Sequence, residues 1–258
     1  MTSAVTNDWK DSVEHAKVRP ARPHTGLTED GRRLAQVLTY ARRGSRLSDG
    51  QAAAWERRHE AWWIPDEAVD RPGYDVRRAF DDPDGPLVVE IGSGIGEATA
   101  ALAAARPSYN VLAFEVWHPG VAQTFLRLEE AGIDNVRLCS VDAVWSLEHL
   151  LGEGSVAELW TFFPDPWPKK RHHRRRLVNP TFARLVASRL RPGGLWRLAT
   201  DWADYAEQMV EVLEAEPLLE SVYDGPAPRW AERPVTRFEG RGMRAGRDIT
   251  DLAYRRRA

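Results

Sequence analysis

The stretch LVVEIGSGIGEATAALAAARP, residues 87–107, decides the fold. LVVEI reads as a buried strand, apolar along both faces but for one acid. Gly92, Gly94 and Gly96 then interrupt it, where a backbone turns and lets a ligand approach closely. EATAALAAARP follows as a helix that Pro107 ends. A buried strand that turns through glycines into a helix is the first unit of a parallel α/β sheet.

The same alternation continues downstream. NVLAFEV (110–116) reads as a second strand, and Pro119 suits the first position of the helix after it. NVRLCSVD (135–142), VAELWTFF (156–163) and LWRLAT (195–200) are the next strands, separated by helical runs. Asn179-Pro180 is an N-cap followed by a first-position proline. PLLESVYD (217–224) and ITDLAYR (249–255) are late strands. The spacing predicts a doubly wound, mostly parallel sheet whose ligand site lies at the strand C-termini. Upstream, DDPDGP (81–86) is a turn cluster, and SDGQAAAWERRHEAWW (48–63) is helical after its Ser/Asp start. Residues 1–37 are polar, carry Pro20, Pro23 and Gly26, and read as a flexible tail. Residues 38–258 then form the domain, with a helical approach over about 38–80.

The glycine loop selects a ligand class. A dinucleotide fingerprint needs a third glycine where this chain has Glu97. Glu97 opens the helix, so a pyrophosphate docked there would be repelled. The loop suits a nucleoside ligand without phosphates, and S-adenosylmethionine is one. Three acids are placed to receive it. Glu90 ends the first strand, near the cofactor's cationic part. Glu115 ends the second, where a carboxylate accepts ribose hydroxyls, and Asp142 ends the third, within reach of an adenine amino group. Singly, Glu115 or Asp142 also reads as a solvated strand-end acid; the three together favour the cofactor.

Composition narrows the rest. The 258 residues are 43% hydrophobic, enough for a core, and no apolar run approaches the length of a membrane span. The N-terminus lacks the apolar region of a secretory signal, so the expected location is cytoplasmic. The one cysteine, Cys139, leaves no internal disulfide or cysteine metal cluster and reads as a strand-packing residue; no metal is implied. Formal net charge is −2, so a polyanionic partner needs a local cationic patch.

That patch is FFPDPWPKKRHHRRRLVNP, residues 162–180. It follows the fourth strand and so hangs over the ligand edge. Proline stiffens the loop around Asp165, and Trp167 is a platform for a splayed base. Lys169, Lys170, Arg171, Arg174, Arg175 and Arg176 are candidate phosphate contacts. His172 and His173 read as polar loop residues, not metal ligands.

With EIGSGIG, FEVWHPGV, FFPDPWPKKRHHRRRL, LATDWADYAEQM, RPVTRFEGRG and DLAY together, the chain resembles the bacterial tRNA (guanine-N7-)-methyltransferases over roughly residues 38–256. The resemblance implies a Rossmann-like class I S-adenosylmethionine-dependent methyltransferase fold, with a mostly parallel seven-stranded sheet whose last strand is antiparallel. It implies methylation of guanine N7 at position 46 of the tRNA variable loop. The sequence itself implies no obligatory protein partner and leaves monomer or homodimer open. By motif the resemblance implies Asp165 as the catalytic acid, close to both ligands. Glu90, Gly92, Gly94, Gly96, Glu115, Asp142, Ala143 and Asp165 would bind cofactor. Lys169, Asp201, Thr236, Arg237, Phe238 and Glu239 would contact substrate. The block Arg171, His172, His173, Arg174, Arg175 and Arg176 would contact RNA. Residues before 38 show no clear counterpart, and Arg247 stands where many relatives read His. Position alone leaves Asp201 as a cap of the following helix and RPVTRFEGRG as a crossing loop. Two other functions fit the same residues: methylation of an exocyclic base amine, and RNA binding by a module with a relic cofactor pocket.

Overall fold

The computed structural model describes residues 39–40, 44–71 and 73–258. The tail read over 1–37 lies outside the described residues.

Seven strands form one sheet in the order β3-β2-β1-β4-β5-β7-β6. They are β1 (Leu87–Ile91), β2 (Asn110–Phe114), β3 (Val136–Cys139), β4 (Val156–Phe162), β5 (Leu190–Thr200), β6 (Leu219–Ser221) and β7 (Thr250–Arg256). β1 to β5 pair in parallel, and β7 runs antiparallel between β5 and β6. Strand order reverses between β1 and β4, and that switch point opens a crevice at the strand C-termini. Among the described residues the α-helices are α1 (Asp49–Trp62), α2 (Asp66–Val69), α3 (Glu97–Ala104), α4 (His118–Ala131), α5 (Ala143–Leu150), α6 (Pro180–Arg189), α7 (Ala203–Glu214) and α8 (Arg237–Arg244).

Residue alternation along the strands builds a core on each face. Leu87, Val89, Leu112 and Phe114 join Leu147, Phe182, Val186, Tyr205 and Met209 from α5, α6 and α7. Val88, Val111, Ala113 and Leu138 join Trp55, Leu102, Phe125 and Leu128 from α1, α3 and α4. Each buried Val, Leu, Phe or Met side chain among these contributes about 1.5–3 kcal/mol. Cys139 is buried in β3 and packs in the core, and burial pushes its thiol up to about 12.

Local signals set the helix ends. Ser48 and Gln51 form a reciprocal capping box at the start of α1. The Asn179 side chain accepts from Phe182 N at 3.1 Å, ahead of Pro180.

Three elements depart from the sequence reading. β5 begins at Leu190, because Leu190 pairs with Val156 before a bulge lets the ladder resume at Glu158. β6 keeps only three residues of the late strand. The crossing loop RPVTRFEGRG contains helix α8. Its buried face is Glu239 and Gly242, not an apolar stripe, so no hydrophobic period announced it.

Over β4 and β5 the chain before α8 covers the sheet. Trp230 lies over Trp160 and takes the guanidinium groups of Arg106 and Arg197 at 4.6 and 4.4 Å from its ring. Glu158 pairs with Arg197 beneath it.

Candidate functional site

A cleft of about 360 Å³ opens at the C-terminal ends of β1, β2 and β4. Its wall includes Glu90, Gly92, Gly94, Glu115, Asp142, Ala143 and Asp165, all singled out from the sequence. The glycine crest is shaped by packing as well as by dihedrals. Gly96 has φ +73°, and a Cβ there would sit 2.5 Å from Thr124 of α4. Gly96 thus serves helix packing and lies outside the cleft lining. Gly120 is equally constrained, since its Cβ would fall 2.2 Å from the Gly94 carbonyl oxygen. The Pro-Gly of FEVWHPGV therefore lets α4 touch the crest, a role the sequence reading missed.

Each acid on the wall is held in place. Glu90 points to the α3 side and accepts from Thr99 Oγ1 at 2.5 Å. Burial, with Glu115 nearby, pushes Glu90 up to about 7, against the Thr99 bond. Glu115 accepts from Gly94 N and Trp117 N, each at 2.7 Å, which ties the crest to the end of β2. Asp142 caps α5 through Val144 N and Trp145 N, and burial raises its carboxyl above the ordinary value. Glu97 accepts from Arg237 N at 2.7 Å, so the start of α8 is fastened to the start of α3.

Asp165 sits on an arch between two left-handed residues, Phe163 (φ +52°) and Trp167 (φ +45°). For bulky side chains each such conformation costs about 1–3 kcal/mol, so the surroundings must impose it. They do. Phe163 N donates to Ala199 O at 2.8 Å, and Arg233 lies against the rings of Phe162 and Phe163. Trp167 Nε1 donates to Thr39 O at 2.9 Å, and Arg176 Nε donates to Pro166 O at 2.9 Å.

These supports revise several sequence expectations. Trp167 is not an open platform, because the Arg175 guanidinium covers its ring at 3.5 Å. Arg176, expected to contact RNA, is 2% exposed, and both Asp204 carboxylate oxygens accept from its Nη2. Lys169, Lys170, Arg171 and Arg174 remain exposed, and Lys170–Arg175 form a 3-10 turn. His172 and His173 are half-buried on that turn.

The C-terminal wall sorts in the same way. Thr236, Phe238 and Asp201 line the cleft, joined by Arg241 and Arg247, which the sequence reading had not placed there. Thr236 also caps α8 through Glu239 N. Glu239, expected to contact substrate, is instead found buried, and accepts from Arg229 at 2.9 Å and Arg233 at 2.7 Å. Arg233 bonds Asp251 with its other nitrogen, closing a buried ion cluster beneath α8. Asp201 does not cap α7 by its side chain; it accepts from Arg247 Nε at 2.8 Å. Lys169 and Arg237 lie outside the cleft lining.

Comparisons with known proteins follow this geometry. A family model described as "Putative methyltransferase" matches residues 84–252. A tRNA (guanine-N(7)-)-methyltransferase of Nocardioides sp. (strain ATCC BAA-499 / JS614) is 65% identical over 95% of this chain and 98% of the relative. Another bearing that name, from Cutibacterium acnes, is 49% identical over 90% of this chain and 87% of its own length. A third, from Bordetella pertussis, is 42% identical over 95% of this chain and 90% of its own length. A match over 95% of the chain reaches into the segment before residue 38, which the sequence reading had left without a counterpart.

Proposed function

This chain belongs to the tRNA (guanine-N(7)-)-methyltransferase family, and from that premise we propose how its cleft works. The reaction is S-adenosylmethionine-dependent methylation of guanine N7 in tRNA. We infer that the target is guanine 46 of the variable loop and that the reaction takes place in the cytoplasm. The observation that carries the reading is the arch, which puts Asp165 in the wall of the same cleft as Glu90, Glu115 and Asp142.

The residues present fit the cofactor. The cleft volume lies within the range of small-ligand sites, about 300–1,000 Å³. Its floor carries three carboxylates, suited to hydroxyl, amino and cationic groups, and the crest's bare glycines admit a nucleoside. Glu115 would hold the ribose, Asp142 and Ala143 the base, and Glu90 would face the cationic end. When bound, S-adenosylmethionine supplies an electrophilic methyl group on a sulfonium sulfur.

N7 of guanine has a lone pair and no proton, so the chain needs no general base. Its task is to orient the purine edge and accommodate the charge that the base acquires. Asp165, fixed by the arch, is the carboxylate placed to do so. Asp201, held by Arg247, and Thr236 and Phe238 on the facing wall would position the guanine. Lys169 and the exposed cations of the 3-10 turn would take backbone phosphates.

Product mapping tests this. Purified protein, labelled S-adenosylmethionine and a tRNA transcript should give RNA that borohydride and aniline cleave at position 46, and a transcript with adenine at 46 should not be labelled. Label that resists cleavage marks an exocyclic methyl and overturns the assignment.

A further inference from the structure

The outward face of α8 borders the cleft at Phe238 and Arg241, and beyond them it has no role assigned above. Among the described residues five large hydrophobic side chains are exposed, and three of them, Val235, Phe238 and Met243, fall within one short segment. Their exposures are 60%, 40% and 56%. Arg237, Arg241 and Arg244 are interleaved with them, all exposed. Spacings of four and three residues set these arginines along one side of the helix. Among the described residues none of the three enters an ion pair, whereas Arg229, Arg233 and Arg247 nearby all do.

The helix does not need this face to stay folded. Thr236 caps it, Glu97 holds its first N–H, and Glu239 locks it to Arg229 and Arg233. Gly242 lies so close to Asp201 that a Cβ would meet the carboxylate at 2.7 Å. The inner face is thus fixed by buried polar contacts, and the outer face is left cationic and apolar at once. The one acid within the helix, Glu239, is turned inward and neutralised. The face is also continuous with the reaction site, because Phe238 and Arg241 line the cleft.

Guanidinium groups that form no ion pair among the described residues, beside exposed apolar and aromatic side chains, suit a strand of RNA: phosphates for the cations, base faces for the ring. We infer that the outer face of α8 is a second RNA-docking surface, on which Arg241 and Arg244 bind backbone phosphates as the strand leaves the cleft. Phe238, with the Arg241 guanidinium 5.8 Å from its ring, stays with the target guanine and marks where the strand leaves the cleft. The strand is then gripped on two sides, by the exposed cations after the arch and by α8. This inference rests on tRNA being the substrate, but its test reads binding separately from methyl transfer.

The test is the salt dependence of full-length tRNA transcript binding to the intact chain, with wild type compared to R241A/R244A and R241K/R244K. The alanine pair should bind on the order of tenfold more weakly at low salt, and its log–log salt slope should be shallower by about 1.4–1.8. The lysine pair should restore most of the slope, since phosphate contacts need charge at those positions. The melting temperature should match wild type in both variants, and R244A alone, outside the cleft lining, should leave S-adenosylmethionine affinity by calorimetry unchanged while making the salt slope shallower by about 0.7–0.9. An unchanged slope and affinity in the alanine pair overturns the inference, as does a lysine pair that binds no better than alanine. Wild type that binds tRNA through α8 but transfers no methyl group would sink the proposed reaction and leave this surface standing.

Discussion

The cofactor wall and the substrate wall of the cleft are built from the same residue types and assembled differently. On the cofactor side, Glu90, Glu115 and Asp142 each stand at the end of a parallel strand and are steadied by a neighbouring hydroxyl or backbone N–H. On the substrate side, charges divide into two populations. Arg176, Arg233 and Glu239 are buried and ion-paired. Lys170, Arg174 and Arg241 are exposed. The division shows that a cation-rich motif is not one device. Part of FFPDPWPKKRHHRRRL is scaffolding for the strained arch, and the rest is surface.

The sharpest way to break that division is to cut one member of each population. Arg233→Ala should destabilise the fold by about 3–5 kcal/mol, because it leaves Glu239 and Asp251 as uncompensated buried charges. Arg174→Ala should change stability by less than about 0.5 kcal/mol and make the tRNA-binding salt slope shallower by about 0.9 or less. Denaturant melts and salt titrations of both variants check this. Equal stability losses would erase the distinction.

Asp165→Ala addresses the arch itself. Removing a preorganised charge from the reacting centre should slow methyl transfer by about 10²–10³-fold. S-adenosylmethionine affinity should fall much less, because the three strand-end acids remain. Single-turnover kinetics and calorimetry separate the two. Parallel losses in rate and cofactor affinity would reassign Asp165 to the cofactor wall.

The smallest expected effect is on pH. Glu90 is pushed up to about 7, so it is mostly protonated at pH 6 and mostly ionised at pH 8. If the bound cofactor's cation favours the carboxylate, binding releases a proton below pH 7 and affinity climbs with pH, levelling off above it. The gain from pH 6 to 8 should be about tenfold. It is read as the difference between wild type and Glu90→Gln, which cancels the titration of the cofactor's own amino group. Identical profiles would show that Glu90 keeps its protonation state on binding.

Legibility in the sequence followed the same divide. A strand end is fixed by the sheet, so LVVEI, NVLAFEV and NVRLCSVD were enough to put three acids on one edge. The antiparallel last strand came from the resemblance, not from periodicity, and is found in β7. The loop residues were harder to read. Whether Arg176 faces RNA or Asp204 depends on α7, which is far along the chain. Glu239 looks like a free acid until Arg229 and Arg233 close on it. Helix α8 carries two interior glycines, and its inner face is polar, so neither propensity nor period marked it. Gly120 was hidden for a different reason: its constraint is a contact with a loop 26 residues earlier in the sequence.

The central claim is that the crest between β1 and α3 holds the methyl donor against Glu115. Titration calorimetry of S-adenosylmethionine into wild type and Glu115→Ala tests it most directly. The account predicts one site per chain in the wild type and affinity at least about tenfold weaker in the variant, with the variant's fold intact. Undiminished binding to Glu115→Ala, or none to wild type, would contradict it.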